Sequence, residues 1–174
     1  KYSVNVTDMK HVKAQKRGCK VSFKNTRETG HAIKGMTFSR AQRNLEHFIS
    51  KEEIVRFLRY RKGTGRHGAS NSIAGTQLGR WAEKSARVLG SLLESLAGAA
   101  KDIGMDLSRL VIKHVQVNQS RCGRRRTYRA HRRISGFRSH PCHLELIAGE
   151  QAAPVAAAGK KVEAKTIGVK RSYE

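Results

Sequence analysis

Residues 113–143, KHVQVNQSRCGRRRTYRAHRRISGFRSHPCH, carry Lys113 and eight arginines but no Asp or Glu. Both ends of the stretch alternate. On the near side Val111, Lys113, Val115 and Val117 share one face, with Ile112, His114, Gln116 and Asn118 on the other. On the far side Cys142, Leu144, Leu146 and Ala148 alternate with His143, Glu145 and Ile147. A side-chain period of two is the signature of a strand. Two strand-like arms therefore flank a basic middle that has no helical apolar stripe. The simplest object is a long β-hairpin whose roots are buried and whose far half has nothing apolar to bury.

An arm from Val111 to about Tyr128, if extended, reaches roughly 50–55 Å at ~3.3 Å per residue. A domain of this size has a radius of only about 15 Å, so the tip must project beyond the body. A lone two-stranded ribbon is marginal in water, and this one repels itself. It makes sense as a device inserted into a polyanion.

The whole chain agrees with that reading. Its 174 residues suffice for one ordinary domain plus a tail. Lys and Arg number 36 against 13 Asp and Glu, a net charge of +23, which implies an acidic partner. Nucleic acid fits better than membrane: no apolar run approaches the ~18 residues of a membrane-spanning helix, and no secretory leader pattern opens the chain. It starts on Lys1 rather than Met, so a few preceding residues are expected to be missing or processed away. Cys19, Cys122 and Cys142 are odd in number and scattered, which suits a reducing compartment better than a disulfide framework. The sequons at Asn5 and Asn118 are read as chance matches.

Residues 1–19 read as an extended basic arm, and Lys20–Lys24 as a short strand with Val21 and Phe23 inward. Asn25-x-x-Glu28 reads as a capping box opening a short helix that Gly35 stops. Ser39-x-x-Gln42 repeats the pattern before Ala41, Leu45, Phe48 and Ile49, one face of a second helix. Ser50-x-x-Glu53 marks a break, and 54–58 is ambiguous between helix and extended chain. The strongest helix runs from Arg80 to about Ile103 on a stripe of Trp81, Ser85, Val88, Leu89, Leu92, Leu93, Leu96, Ala100 and Ile103, closed by Gly104. The expected fold is a two-layer α+β body, a three-stranded antiparallel sheet against about three helices, with the hairpin protruding. The domain runs over 20–150, with the hairpin at about 111–149. Residues 151–174, low in complexity and dotted with lysine, form a tail without a core of its own.

Several motifs invite chemistry. Gly63 to Gly68 matches G-x-G-x-x-G, but neither a βαβ unit nor an acidic residue ~20 positions on accompanies it. A basic loop that brings Arg61, Lys62, Arg66 and His67 to phosphates is the better reading. Cys122, His131, His140, Cys142 and His143 lie close in sequence, yet their spacing is not that of a zinc site. Cys142 reads as a small core residue. No paired carboxylates, nucleophile elbow or oriented Cys–His pair points to an enzyme, and no cofactor is implied. Trp81 reads as core or rim packing rather than base stacking.

The arginines carry the strongest signal. Guanidinium groups grip phosphates bidentately and stack on bases, and Tyr128 can stack on an unpaired base. Two classes stay open on these grounds. One is a structural RNA-binding protein whose ribbon threads folded RNA. The other is an architectural nucleic-acid-binding protein that bends DNA with β-arms in the minor groove.

Asn25–Thr29, Ala32–Met36, Gly79–Trp81 with Lys84–Ala86, Val115–Asn118, Arg124–His131 and Ser139-x-Pro-Cys-His143 occur in this order. Together they resemble the universal large-subunit ribosomal protein family twenty-two, numbered seventeen in eukaryotes, over roughly residues 2–149. Ser120–Gly123, Ser135–Arg138 and the 69–78 segment differ from the forms expected of that family. The resemblance implies an α+β body on the outer surface of the large subunit, near the exit of the peptide tunnel. It implies a hairpin running inward through ribosomal RNA, with Arg126, Thr127, Tyr128, Arg129, Ala130, His131 and Arg132 at a tip lining the tunnel wall. Lys113, Arg121, Arg124, Arg125, Arg126, Arg133 and Arg138 would neutralise phosphates along the hairpin. Arg27, Lys34, Arg40, Arg61, Lys62, Arg66, His67 and Lys84 would do so on the body. The implied partners are large-subunit ribosomal RNA, neighbouring ribosomal proteins and the nascent peptide, with neither a membrane nor a second copy. The implied setting is the cytosolic ribosome, nucleolar during assembly, with a part in early assembly and no catalysis.

Overall fold

The computed structural model describes residues 2–5, 10–70 and 76–150. The expected tail at 151–174 and part of the N-terminal arm lie outside these. The elements are β1 (His11–Cys19), α1 (Phe23–Ile33), α2 (Phe38–Ser50), β2 (Val55–Arg56), β3 (Gly79–Arg80), α3 (Glu83–Asp102), β4 (Leu110–Gln119), β5 (Gly123–Tyr128), β6 (Ile134–Ser139) and β7 (Cys142–Glu150). Two single-turn 3₁₀ helices, Gly68–Ser70 and Leu107–Arg109, sit in the connections.

The body is the expected α+β domain. Its sheet is antiparallel and three-stranded in the order β1-β7-β4. Cys142, Leu144, Leu146 and Ala148 of β7 form the centre of the buried face, with Val12, Ala14 and Cys19 of β1 on one side and Leu110 and Ile112 of β4 on the other. Leu89, Leu92, Leu93, Leu96 and Ala100 of α3 and Ile33 of α1 close the layer, and Ala41, Leu45 and Phe48 of α2 join the same cluster. Each fully buried aliphatic chain contributes about 1.5–3 kcal/mol of transfer free energy.

The first strand differs from the reading of the sequence. It is His11–Cys19, within the expected arm, and not Lys20–Lys24. Residues 20–24 turn the corner instead, and Phe23 opens α1. Alternation misled because two apolar residues, Val21 and Phe23, pack against the core from a turn and a helix start. Strand β4 also departs from strict alternation. A bulge between Ile112 and His114 sets Lys113 outward. Val115 and Val117 then join Ile112, rather than Val111, on the core side, opposite Leu146 and Leu144. One extra residue in a strand reverses the faces that follow it.

Three capping boxes were expected, and none forms. Helix α1 is preceded by Ser22 and α2 by Thr37, neither with a side-chain cap. Glu28 is fully buried and accepts backbone N–H bonds from Leu58 (3.0 Å), Arg59 (3.3 Å) and Tyr60 (3.3 Å). Its carboxylate therefore anchors the start of the basic 59–80 loop. The glycine stops hold: Gly35 and Gly104 have φ of 84° and 71°, values that favour glycine.

Candidate nucleic-acid interface

The body sheet hands over to the ribbon at an irregular joint. Pairing of β4 with β7 ends at Gln119 and Cys142, and pairing of β5 with β6 starts at Gly123 and Ser139. Ser120–Cys122 on one strand faces His140–Pro141 on the other, joined by one backbone bond from Ser120 N–H to the Pro141 carbonyl at 3.0 Å. Pro141 has no N–H to return to the ladder. Beyond the joint the ribbon runs Arg124 opposite Arg138, Arg125 opposite Phe137, Arg126 opposite Gly136, Thr127 opposite Ser135 and Tyr128 opposite Ile134. A Cβ on Gly123 would meet Ser139 Oγ, so any larger residue there would have to turn the Ser139 hydroxyl aside.

The tip is a tight turn. Arg129 N–H donates to the Arg133 carbonyl at 2.8 Å, and His131 and Arg132 take φ of 58° and 54°. Consecutive non-glycine residues in the left-handed region are costly. From Ser120 to this turn the free section extends roughly 35 Å at ~3.3 Å per residue.

Every residue from Arg121 to His140 is exposed except Thr127, which is half-buried. Tyr128 is 77 % exposed and its cross-strand partner Ile134 56 %. Arg124 and Arg138 stand directly opposite each other, a like-charge pairing that works against the ladder. Among the described residues the ion pairs lie in the body: Arg27–Glu28, Arg40–Glu53, His47–Glu52, His47–Glu53, Lys51–Glu83 and Arg109–Glu150. The ribbon thus presents its guanidinium groups to solvent, with Arg125 lying over the Phe137 ring at 5.0 Å.

The body residues singled out from the sequence separate into two groups. Lys34, Arg61, Lys62, Arg66 and Lys84 are exposed. Arg27 is tied to Glu28 and Arg40 to Glu53, each at 3.0 Å. The 61–68 segment is not the start of a nucleotide-binding helix: Gly68 opens a turn of only three residues. Arg80 donates to the Gly63 carbonyl, and His67 stands edge-on to Trp81 at 4.9 Å. Trp81 is a half-buried rim residue.

Of the five Cys and His residues around the hairpin, the fold brings together only Cys122 and His140, at 3.4 Å. Cys142 is in the core, and His143 accepts the Gly18 N–H at 3.0 Å. Burial pushes the thiols of Cys19 and Cys142 above their ordinary value of 9.0, so both stay protonated near neutrality. Sequence reasoning missed the outer face of the sheet. Glu145 is buried there, accepting from Ser3 N–H (3.1 Å), Ser3 Oγ (2.8 Å) and Gln15 Nε2 (3.3 Å). A lone acid on the polar side of a strand gives no sign that it is covered.

A compact body bearing a polycationic two-stranded arm is the architecture of a protein built against a polyanion. The family described as ribosomal protein L22p/L17e matches residues 14–149. Proteins named large ribosomal subunit protein uL22 are similar over most of their length. That of Ixodes scapularis is 46 % identical over 165 residues, covering 94 % of this chain and 89 % of the relative. That of Argas monolakensis is 48 % identical, covering 90 % and 85 %. That of Zea mays is 43 % identical, covering 84 % and 85 %. The chain belongs to the L22p/L17e ribosomal protein family: it is a structural constituent of the large ribosomal subunit, not an enzyme.

Proposed function

We propose that this protein braces large-subunit ribosomal RNA with its body and threads its ribbon through that RNA, so that residues 126–132 line the nascent-peptide tunnel. The observation that carries this is the ribbon itself: eight arginines, no acid between 113 and 143, and exposure along nearly its whole projecting length. Such a ribbon is unsupported by its own body and needs a surrounding polyanion to hold it straight. Lys113, Arg121, Arg124, Arg125, Arg126, Arg133 and Arg138 neutralise phosphates along it. Lys34, Arg61, Lys62, Arg66, His67 and Lys84 do so on the body. Arg27 and Arg40, already paired with carboxylates, contribute charge more than direct grip. By joining RNA segments that meet around the ribbon, the protein supports subunit assembly, in the nucleolus first and in cytosolic ribosomes afterwards. Its protein partners are neighbouring ribosomal proteins and, at the tip, the nascent peptide; it works as a single copy.

Sedimentation of a lysate at rising salt tests this. A threaded ribbon travels stoichiometrically with the large subunit and stays there in high salt. A surface-bound arm would be released, with a log–log slope of roughly −0.7 to −0.9 per phosphate contacted. Migration with DNA instead would make it an architectural protein outside the ribosome. Replacing Arg126, Arg129 and Arg132 with Ala tests the tip: the expected result is altered nascent-chain stalling with the protein still incorporated. Unchanged stalling and unchanged density at the constriction would remove the tip from the tunnel wall.

A further inference from the structure

The joint between body and ribbon holds a cleft of about 860 Å³. Its walls come from the turn after β1 and from both strands of the ribbon's base, including Lys20, Arg121, Arg124, Phe137, Arg138 and Pro141. No Asp or Glu lines it, and Arg125, which also lines it, lies over the Phe137 ring. The cleft is far larger than one phosphate needs and falls within the range of small-molecule sites, about 300–1,000 Å³. It pairs a cationic wall with an aromatic ring, and Phe137 stays 54 % exposed even under Arg125. A cationic groove with a free aromatic face is the chemistry that receives an unstacked nucleotide: cations take the phosphate, and the ring takes the base.

We propose that the cleft holds a single unpaired RNA nucleotide, its base stacked on Phe137 and its phosphate held by Lys20 and Arg121. This rests on the ribosomal RNA-binding reading and adds a located site to it. Phosphate contacts along a ribbon position it but carry no information about which base lies beside it. A flipped base seated at the joint fixes the depth to which the ribbon enters. The carbon-rich walls at Val21 and Pro141 suit a base and sugar better than free phosphate. A protein segment is the competing occupant; a cleft with this charge would favour an acidic one.

Two measurements on intact large subunits test the site. Ultraviolet irradiation of wild-type subunits, followed by nuclease and trypsin, should leave a nucleotide adduct on Phe137 in the peptide Ile134–Arg138. Chemical probing of the RNA in Phe137→Ala subunits should show one base becoming roughly tenfold more reactive, the effect of losing one base–aromatic stack. Phe137→Trp should restore its protection. Unchanged base reactivity in subunits carrying Phe137→Ala, or a crosslink from Phe137 to another protein, overturns the proposal while leaving the RNA-bracing function intact. A wild-type chain that does not travel with the large subunit fails the function itself. If Phe137→Ala does not assemble, the wild-type crosslink decides: an adduct supports the site and its absence overturns it.

Discussion

The body sheet and the ribbon are both antiparallel but stabilised in opposite ways. Strands β4 and β7 end at the joint, and β5 and β6 carry the chain on into the ribbon. In the body the inward residues of β4 and β7, Ile112, Leu144, Leu146 and Ala148, are fully buried under α1 and α3. A few residues on, past Ser120 and Pro141, the continuing strands β5 and β6 bury almost nothing and set arginine against arginine. Hydrogen bonding is similar in both regions. What differs is apolar burial, and with it the source of order: internal for the body, external for the ribbon. An isolated hairpin without a packed face is marginal, and this one also carries repulsion that only counter-charge removes.

That contrast can be broken most forcefully in the core. Leu146→Ala should cost about 2–5 kcal/mol through lost burial and a residual cavity, seen as a lower urea midpoint in the free protein. A loss below 1 kcal/mol would mean that the body is not packed as described. Next in size is Glu28→Ala, which strips three backbone N–H groups of their acceptor. Hydrogen bonds to a charged group contribute about 1.5–3 kcal/mol, and without them the 59–80 loop should become sensitive to protease. Unchanged stability and cleavage would show that the loop is held otherwise.

Ribbon substitutions should do the reverse. Arg124→Ala with Arg138→Ala should leave the unfolding free energy of the free protein, read from urea denaturation, within about 0.5 kcal/mol of wild type, as for exposed positions generally. The same pair should weaken RNA binding and lower the salt slope by roughly one to two, one phosphate contact per arginine. A large loss of body stability would mean that the two regions are coupled.

The smallest effects concern thiols. Cys122 should react with a maleimide in the folded free protein, whereas Cys19 and Cys142 should react only on unfolding. Burial raises the pKa of both core thiols. Below their ordinary value the folded and unfolded forms bind the same protons there, and stability is unaffected. Above it the unfolded chain releases protons that the fold retains, so stability should fall as pH rises past about 9. Cys142→Ala should reduce that alkaline loss; an identical pH profile would assign it to other groups.

How much of this was legible follows from what each region asks of its residues. The ribbon was readable because its demand is compositional: arginine, no acid, period two. Helix α3 was readable because its long apolar stripe leaves one choice of face. Strand β1 was not, since an edge strand of lysines, glutamine and arginine keeps only Val12 and Ala14 inward before its bulge near Gly18. Side-chain spacing alone could not separate a capping box from Glu28, whose partners lie about thirty residues on. The Lys113 bulge erased the face assignment of Val111 against Ile112, because a single inserted residue leaves no compositional trace. The basic residues were legible individually. The cleft was not, because its walls join the turn after β1 to a joint about a hundred residues later.

Amide hydrogen exchange, on the free protein and on the large subunit, addresses the central claim most directly. Amides of β1, β7 and the body half of β4 should be protected in both states. Those of β5 and β6 should exchange at nearly unprotected rates in the free protein and become protected in the subunit. Ribbon amides as slow as those of the body in the free protein would contradict the account, since the ribbon would then carry its own order.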